Sequence, residues 1–356
     1  MTGSFATRLF RIVFTLAGFY NLAFGIWAAL WPLKFFEIAG IAPPRYPSIW
    51  ACVGMVVGVY GFLYWYAAWK PDAGRPIIAV GLLGKVLGPI GMLISINDEW
   101  PRRLAMVNVF NDLIWWLPFT LFLFRGTSLA KRLVAQAPWA SVGLHALGLV
   151  AIVLVLKPGT VVQSDPLMRA RYIAEYSTTW SLGWAVWMLA ALSLVAFYAW
   201  WGTQLRNWRA ATVGVMLAAA GCVCDLSGES LSVLVLVEQS LPLLEEGTLW
   251  DPSAFLWSER FATLLTAGAA NGLYTLGGVV LMLSTENLSG LVRASMWATW
   301  LAGAGMTLAA FFDHVAGMMA STSVLFPLLI AWTVWFGLFW SKTAKSKTGV
   351  SHKIPY

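Results

Sequence analysis

Apolar runs of about 20 residues, broken by short polar segments, recur along the whole chain. They fall near residues 10–32, 49–69, 76–97, 104–125, 137–157, 178–202, 209–238, 257–284, 290–311 and 319–340. A helix of roughly 20 residues, rising ~1.5 Å per residue, crosses the hydrocarbon core of a bilayer. The pattern predicts an all-α polytopic membrane protein with about ten transmembrane helices. The last two runs come from one long segment, and their split rests on Asp313 and His314 alone. The first run follows MTGSFATRLFR with no small-x-small cleavage site, so it reads as a span and not as a secretory signal. The longer connections divide the chain into a four-span front unit (1–125), a basic connector (126–136), a six-span rear unit (137–341) and a basic tail (342–356). In the rear unit, DPLMRARYIAEYS alternates charged and apolar residues and predicts a short interfacial helix. The acidic loop LPLLEEGTLWDP separates spans seven and eight. No inverted repeat of the kind that transporters use is visible.

Composition agrees with this reading. Charged residues make up 11% and hydrophobic residues 59% of 356 positions, whereas soluble domains carry roughly 25% charged residues. The formal net charge of +7 sits mostly in short loops, where Lys and Arg set topology, and no basic helix or RNA-binding motif points to a nucleic-acid partner. With both termini inside, 14 Lys and Arg fall on inner segments and eight on outer ones, with Lys85 left within a span. That asymmetry predicts cytoplasmic termini. Cys52, Cys222 and Cys224 have neither metal spacing nor a CxxC pair, so no metal site, disulfide framework or other cofactor is expected. Most of the 22 tryptophans, among them Trp31, Trp50, Trp69, Trp100, Trp180, Trp250, Trp257 and Trp340, are expected to anchor the spans at the membrane interfaces. Trp115 and Trp116 lie closer to mid-membrane and are candidates for a cavity wall.

The segments FYNLAFGIW, WACVGMVVGVYGFLYWYAA, VGLLGKVLGPIG and NDLIWWLPF, spread over the first 125 residues, resemble small bacterial four-span membrane proteins of the broad DoxX-like class. The resemblance covers about a third of the chain. It implies an up-and-down four-helix bundle for the front unit, a bacterial inner-membrane setting, and no particular activity. Residues 126–356 resemble no family.

Polar residues inside spans are expensive and mark packing or function. In span three, Gly81, Gly84, Gly88 and Gly91 step by three and four residues, a pattern that predicts close approach of a neighbouring helix. Lys85 interrupts the same span, and span four carries Asn108, Asn111, Asp112 and Trp115 at helical spacing. Counted at ~1.5 Å per residue from the inner ends, Lys85 lies ~14 Å deep and Asp112 ~18 Å. A structural Lys85–Asp112 ion pair is the economical reading. The rival makes the pair part of a proton or ligand site, with Asn111 and Trp115 beside the ligand.

Span seven is richer. Gly214, Ala218, Gly221, Asp225, Gly228, Glu229 and Ser232 share one face by their three- and four-residue steps. Small residues there allow close helix contact or leave room for a ligand. Asp225 and Glu229 stand one turn apart near mid-membrane, and two carboxylates so close resist ionising together in a low dielectric. A shared proton suits a general acid or a proton carrier. The packing reading is a protonated pair that locks helix to helix through Asn271 or Tyr274 of span eight. Arg260, at the outer start of that span, is the nearest cation, with Glu238 and Glu259 as competing partners. Asp313 and His314, near the outer end of span nine, lack a placed nucleophile and read as surface groups. His145 is expected near the inner face, too far from His314 to share a haem.

These residues lead to one functional expectation and two rivals. The first is an integral membrane protein that binds or transforms a lipid-like small molecule, isoprenoid in the narrowest form. Asp225 and Glu229 would protonate or deprotonate it, starting an isomerisation, cyclisation or hydration, while Asn271 and Tyr274 orient it. Its partners would be membrane lipid and that ligand. The rivals are a proton- or cation-coupled transporter using the same acids and a structural subunit of a larger membrane complex.

Overall fold

The computed structural model describes residues 2–95, 100–245 and 250–340. Regular structure among these residues is helical throughout, with no strand. Nine helices among them are long and apolar enough to cross a membrane, the layout of a multi-pass membrane protein. The basic tail 342–356, part of the acidic loop between spans seven and eight, and positions 96–97 of the third span lie outside the described residues. The chain divides into two compact units, Met1–Ala130 and Lys131–Tyr356.

The front unit contains α1 (Thr2–Leu30), α2 (Lys34–Ala39), α3 (Pro47–Trp69), α4 (Arg75–Ser95) and α5 (Arg102–Leu123). Its core is aromatic, with the Phe14 ring edge-on to Phe122 at 4.7 Å and to Phe119 at 5.7 Å. The closest helix contact is between α1 and α3, where glycine meets glycine. A Cβ at Gly25 would lie 2.5 Å from the Gly58 Cα and 2.6 Å from the Gly54 carbonyl oxygen. Such contacts bind helices in lipid, where burial of apolar surface gives no drive.

The expected glycine face of α4 splits. A Cβ at Gly81 would strike the Tyr64 hydroxyl at 2.4 Å and one at Gly88 would reach Asp112 Oδ2 at 3.0 Å, but Gly84 and Gly91 face open space. Three residues rotate a helix by about 300°, so positions 84 and 91 point roughly 60° away from 81 and 88. The α1–α3 contact yields a prediction with opposite outcomes at its two glycines. Gly25→Ala forces backbones apart and is expected to destabilise by ~1–3 kcal/mol. At Gly58 a Cβ would make ordinary 3.5 Å contact, so Gly58→Ala is expected to be neutral or to gain up to ~1 kcal/mol of helix propensity. Thermal unfolding of both purified variants in detergent decides, and equal losses would refute this geometry.

The rear unit contains α6 (Ser128–Gly159) from Lys131 onward, α7 (Pro166–Glu175), α8 (Ser177–Thr203), α9 (Trp208–Leu244), α10 (Pro252–Leu283), α11 (Gly290–Phe311) and α12 (Val315–Leu338). The polar residues between apolar runs act as N-caps. Asp165 accepts from the Leu167 N–H, Asn207 from Arg209 and Ala210, Asp251 from Ser253, and Ser289 from Val292. The basic connector is not a loop: Gly126 turns the chain at φ +82°, the Thr127 hydroxyl accepts from the Ala130 N–H, and helix runs from Ser128. The short helix expected in DPLMRARYIAEYS forms as α7, with Pro166 at its first position. Helix α11 is long but is not among these nine apolar helices, because Gly, Ser, Thr and Trp residues dilute it even beyond Arg293. It separates from α12 where Asp313 takes a left-handed φ of +56° and the His314 ring accepts the Gly317 N–H at 3.0 Å.

Along α9, Gly214, Gly221 and Gly228 recur every seven residues and seat the helix on the α10 backbone. Added Cβ atoms there would lie 3.1, 2.9 and 2.7 Å from the carbonyl oxygens of Gly277, Ala270 and Ala262. The small residues of span seven therefore serve helix contact. Trp180, expected at an interface, is 1% exposed and donates to the Ser232 carbonyl. Trp257 is 76% exposed, as an anchor requires.

Candidate functional site

The α9–α10 seam holds the two acids beside a cavity of about 140 Å³ within the rear unit. Asp225, Glu229, Asn271 and Tyr274, expected from sequence to act together, all line it. The Tyr274 hydroxyl donates to Asp225 Oδ2 at 3.2 Å, and the Tyr198 hydroxyl braces the Tyr274 carbonyl at 3.0 Å. Glu229 is 1% exposed, and its Oε2 has no hydrogen-bond partner within the protein. Asn271 serves a different contact. Its amide donates to the Gly303 carbonyl at 2.6 Å and to the Thr307 hydroxyl at 2.9 Å, tying α10 to α11. It locks helices, as one reading of the sequence allowed, but to α11 and not to the acids.

No Lys or Arg lines the cavity. Arg260, the nearest cation expected from sequence, is engaged elsewhere. It donates to the carbonyls of Ala310 at 2.7 Å and Phe311 at 3.0 Å, capping the end of α11, and pairs with Asp313 at 3.1 Å. Glu259 pairs instead with Arg169 of α7 at 2.7 Å. Asp313 and His314 thus hold a helix junction.

His145 enters the site unexpectedly. Because α6 starts at Ser128, His145 lies 17 residues into a 32-residue helix, ~26 Å from its start at ~1.5 Å per residue. It lines the same cavity, 3% exposed, with the Trp187 ring edge-on at 6.2 Å and Phe326 at 5.9 Å. Its Nδ1 lies 2.8 Å from the Ser141 carbonyl, which only accepts, so Nδ1 carries the proton and a neutral ring offers its lone pair at Nε2.

Three lining tryptophans, Trp184, Trp187 and Trp300, also have indole N–H groups with no partner within the protein. A buried polar group left unpaired costs roughly 1–3 kcal/mol, and these N–H groups lie within the packing of the cavity walls. The helices forming the cavity are locally irregular. Turns of π-helix occupy Ile152–Leu156 in α6, Leu231–Val235 just after the acids in α9, and Leu264–Ala270 just before Asn271 in α10. Such turns are rare and often accompany functional sites.

The remaining expected residues belong to the front unit. Lys85 and Asp112 are buried, 5% and 2% exposed, but do not form the expected direct ion pair. A π-helical turn at Val109–Leu113 rearranges the backbone there. Lys85 Nζ donates to the Asn111 carbonyl and lies 5.8 Å from the centre of the Trp115 ring. The Asn111 amide donates to Asp112 Oδ1 at 2.8 Å, and Asp112 Oδ2 has no partner within the protein. Trp115 and Trp116 spend their N–H groups on the carbonyls of Phe110 and Lys85. Trp115, expected at a cavity wall, packs into the aromatic core of the front unit.

Among the described residues, no group of three or more His, Cys, Asp or Glu side chains is placed to hold a metal ion. Comparison of the chain with known protein families, with curated proteins and with solved structures gives no match. The likeness of the first 125 residues to DoxX-like proteins therefore stays a resemblance.

Proposed function

We propose that this chain is a bacterial inner-membrane protein with about ten spans and cytoplasmic termini. Four spans form a front bundle and six a rear unit that holds part of a lipid-like small molecule against Asp225 and Glu229 and exchanges a proton with it. One observation carries this reading: both acids line an aromatic-walled cavity without a neighbouring Lys or Arg, and Glu229 keeps an oxygen unpartnered. A cavity of about 140 Å³ is close to the ~150 Å³ that accommodates benzene in an engineered apolar site. It admits a ring-sized portion of a ligand, with any longer chain left outside.

A second reading, proton-coupled transport, draws support from His145, an imidazole on the same cavity as the two acids. The experiment is built on Asp225→Asn and Glu229→Gln, which keep shape and, at 225, an acceptor for Tyr274. Organic extracts of the purified parent are expected to contain a bound lipid-like compound that both variants lose by at least about tenfold. Extracts that do not differ would refute ligand binding through the acids. If the variants retain the compound but lose pH-dependent uptake in proteoliposomes, transport replaces binding.

A further inference from the structure

The charge balance of the cavity carries the proposed reading to a ligand class. We infer that the ligand is a lipophilic amine, held in its ammonium form, whose head is about the size of one ring. The inference rests on the reading that this cavity binds a ligand against Asp225 and Glu229. About 140 Å³ sets the scale, since about 150 Å³ takes benzene. Charge selects the head. A carboxylate pair that keeps one shared proton still carries one negative charge, and a charge in a dry interior requires a partner. Among the described residues no Lys or Arg lines the cavity, and Arg260 is held by Asp313 and the end of α11. An ammonium group neutralises the pair, whereas an alcohol or a hydrocarbon leaves it charged and an anion adds to the charge. An amine is also able to exchange a proton, since its nitrogen lone pair takes one up and gives it back.

Hydrogen bonding points to the same head from a second helix. His145 of α6 lines the cavity with Nδ1 turned to the Ser141 carbonyl, which leaves Nε2 without a partner among the described residues. Unlike the indole nitrogens of Trp184, Trp187 and Trp300, Nε2 is not closed off in the wall packing. It is an acceptor, since the ring proton sits on Nδ1. Donors around the cavity are spent within the protein. The hydroxyls of Thr266 and Thr322 donate to carbonyls one turn back in their own helices, that of Tyr274 to Asp225, and the Asn271 amide to Gly303. The cavity therefore offers acceptors from α6 and α9 and no charged donor. A primary ammonium carries three N–H donors and no acceptor, the complement of that set. Aromatic walls favour it further, because the face of an aromatic ring attracts a cation.

Equilibrium dialysis of the full chain in phosphatidylcholine nanodiscs, with empty nanodiscs as the blank for partitioning, tests this. The probes are benzylamine, benzyl alcohol and toluene, which share a ring and differ in the head. Near neutral pH, benzylamine is expected to bind saturably at one site, at least about tenfold tighter than either analogue. The double variant Asp225→Asn/Glu229→Gln removes the charge and is expected to bind benzylamine no better than benzyl alcohol. His145→Phe keeps a ring, removes the acceptor and is expected to weaken benzylamine several-fold. Thermal unfolding in detergent checks that the variants fold, and the comparison of probes on the parent needs no variant. Benzyl alcohol or toluene binding as tightly as benzylamine overturns the inference, as does no saturable binding of benzylamine. Benzylamine binding unchanged in either folded variant overturns it too. Extracts of the parent separate the inference from the reading beneath it. A compound that depends on both acids but lacks a basic nitrogen sinks the amine alone, whereas extracts unaffected by the acid variants sink both.

Discussion

Arg169→Leu is expected to lower the stability of the rear unit by about 3–5 kcal/mol, because it strands a buried carboxylate. Arg169 on α7 and Glu259 on α10 meet at 2.7 Å with side chains only 6% and 9% exposed. Arg169 also donates to the Gln163 carbonyl at 2.5 Å, fastening the loop that leads into α7. Glu259 Oε1 already has no partner within the protein. Removing the guanidinium would leave both carboxylate oxygens unmet. The double variant Arg169→Leu/Glu259→Leu is expected to recover more than half of the loss, since well-packed apolar residues often replace a buried ion pair at little cost. Thermal unfolding of parent, single and double variants in detergent gives the coupling directly. Additive losses would mean that the pair contributes nothing as a pair. Exposed pairs such as Arg206–Glu286, 3.5 Å apart and 88% and 60% exposed, are expected to show almost no coupling by the same measurement.

The helices are legible in the sequence because each apolar run is closed by residues with a fixed local chemistry. Asn207, Asp251 and Ser289 stand where runs begin, and each caps a helix. The acid site is legible for a related reason: carboxylates within a span are so costly that their positions alone mark them. Three features are hidden. Helix α6 begins nine residues before its apolar run, because Lys131 and Arg132 interrupt the run although the helix continues through them. Counting from the run alone therefore places His145 away from the acids. The α1–α3 contact is readable in principle, since Gly54 and Gly58 form a G-x-x-x-G step, but the longer glycine series of α4 gives the stronger pattern. The π-helical turns have no reliable sequence signal. Without them, counting along ideal helices pairs Lys85 directly with Asp112.

That last departure yields a second large effect. Lys85→Met is expected to destabilise the front unit by about 3 kcal/mol or more, as the loss of a buried charge's partner does. The lysine satisfies the Asn111 carbonyl within the π-helical turn, and its charge lies over the Trp115 ring as well as near Asp112. Asp112 would keep only the Asn111 amide on Oδ1. Asp112→Asn is expected to cost less, because Lys85 retains the carbonyl and the ring, and the new side chain still accepts from Asn111. The double variant Lys85→Met/Asp112→Asn should then be more stable than Lys85→Met alone, for it no longer buries a lone carboxylate. A direct ion pair would predict nearly equal single losses. Thermal unfolding of the three variants therefore separates a bridged arrangement from a direct one. Asp112→Asn proving as damaging as Lys85→Met would sink the bridge through Asn111.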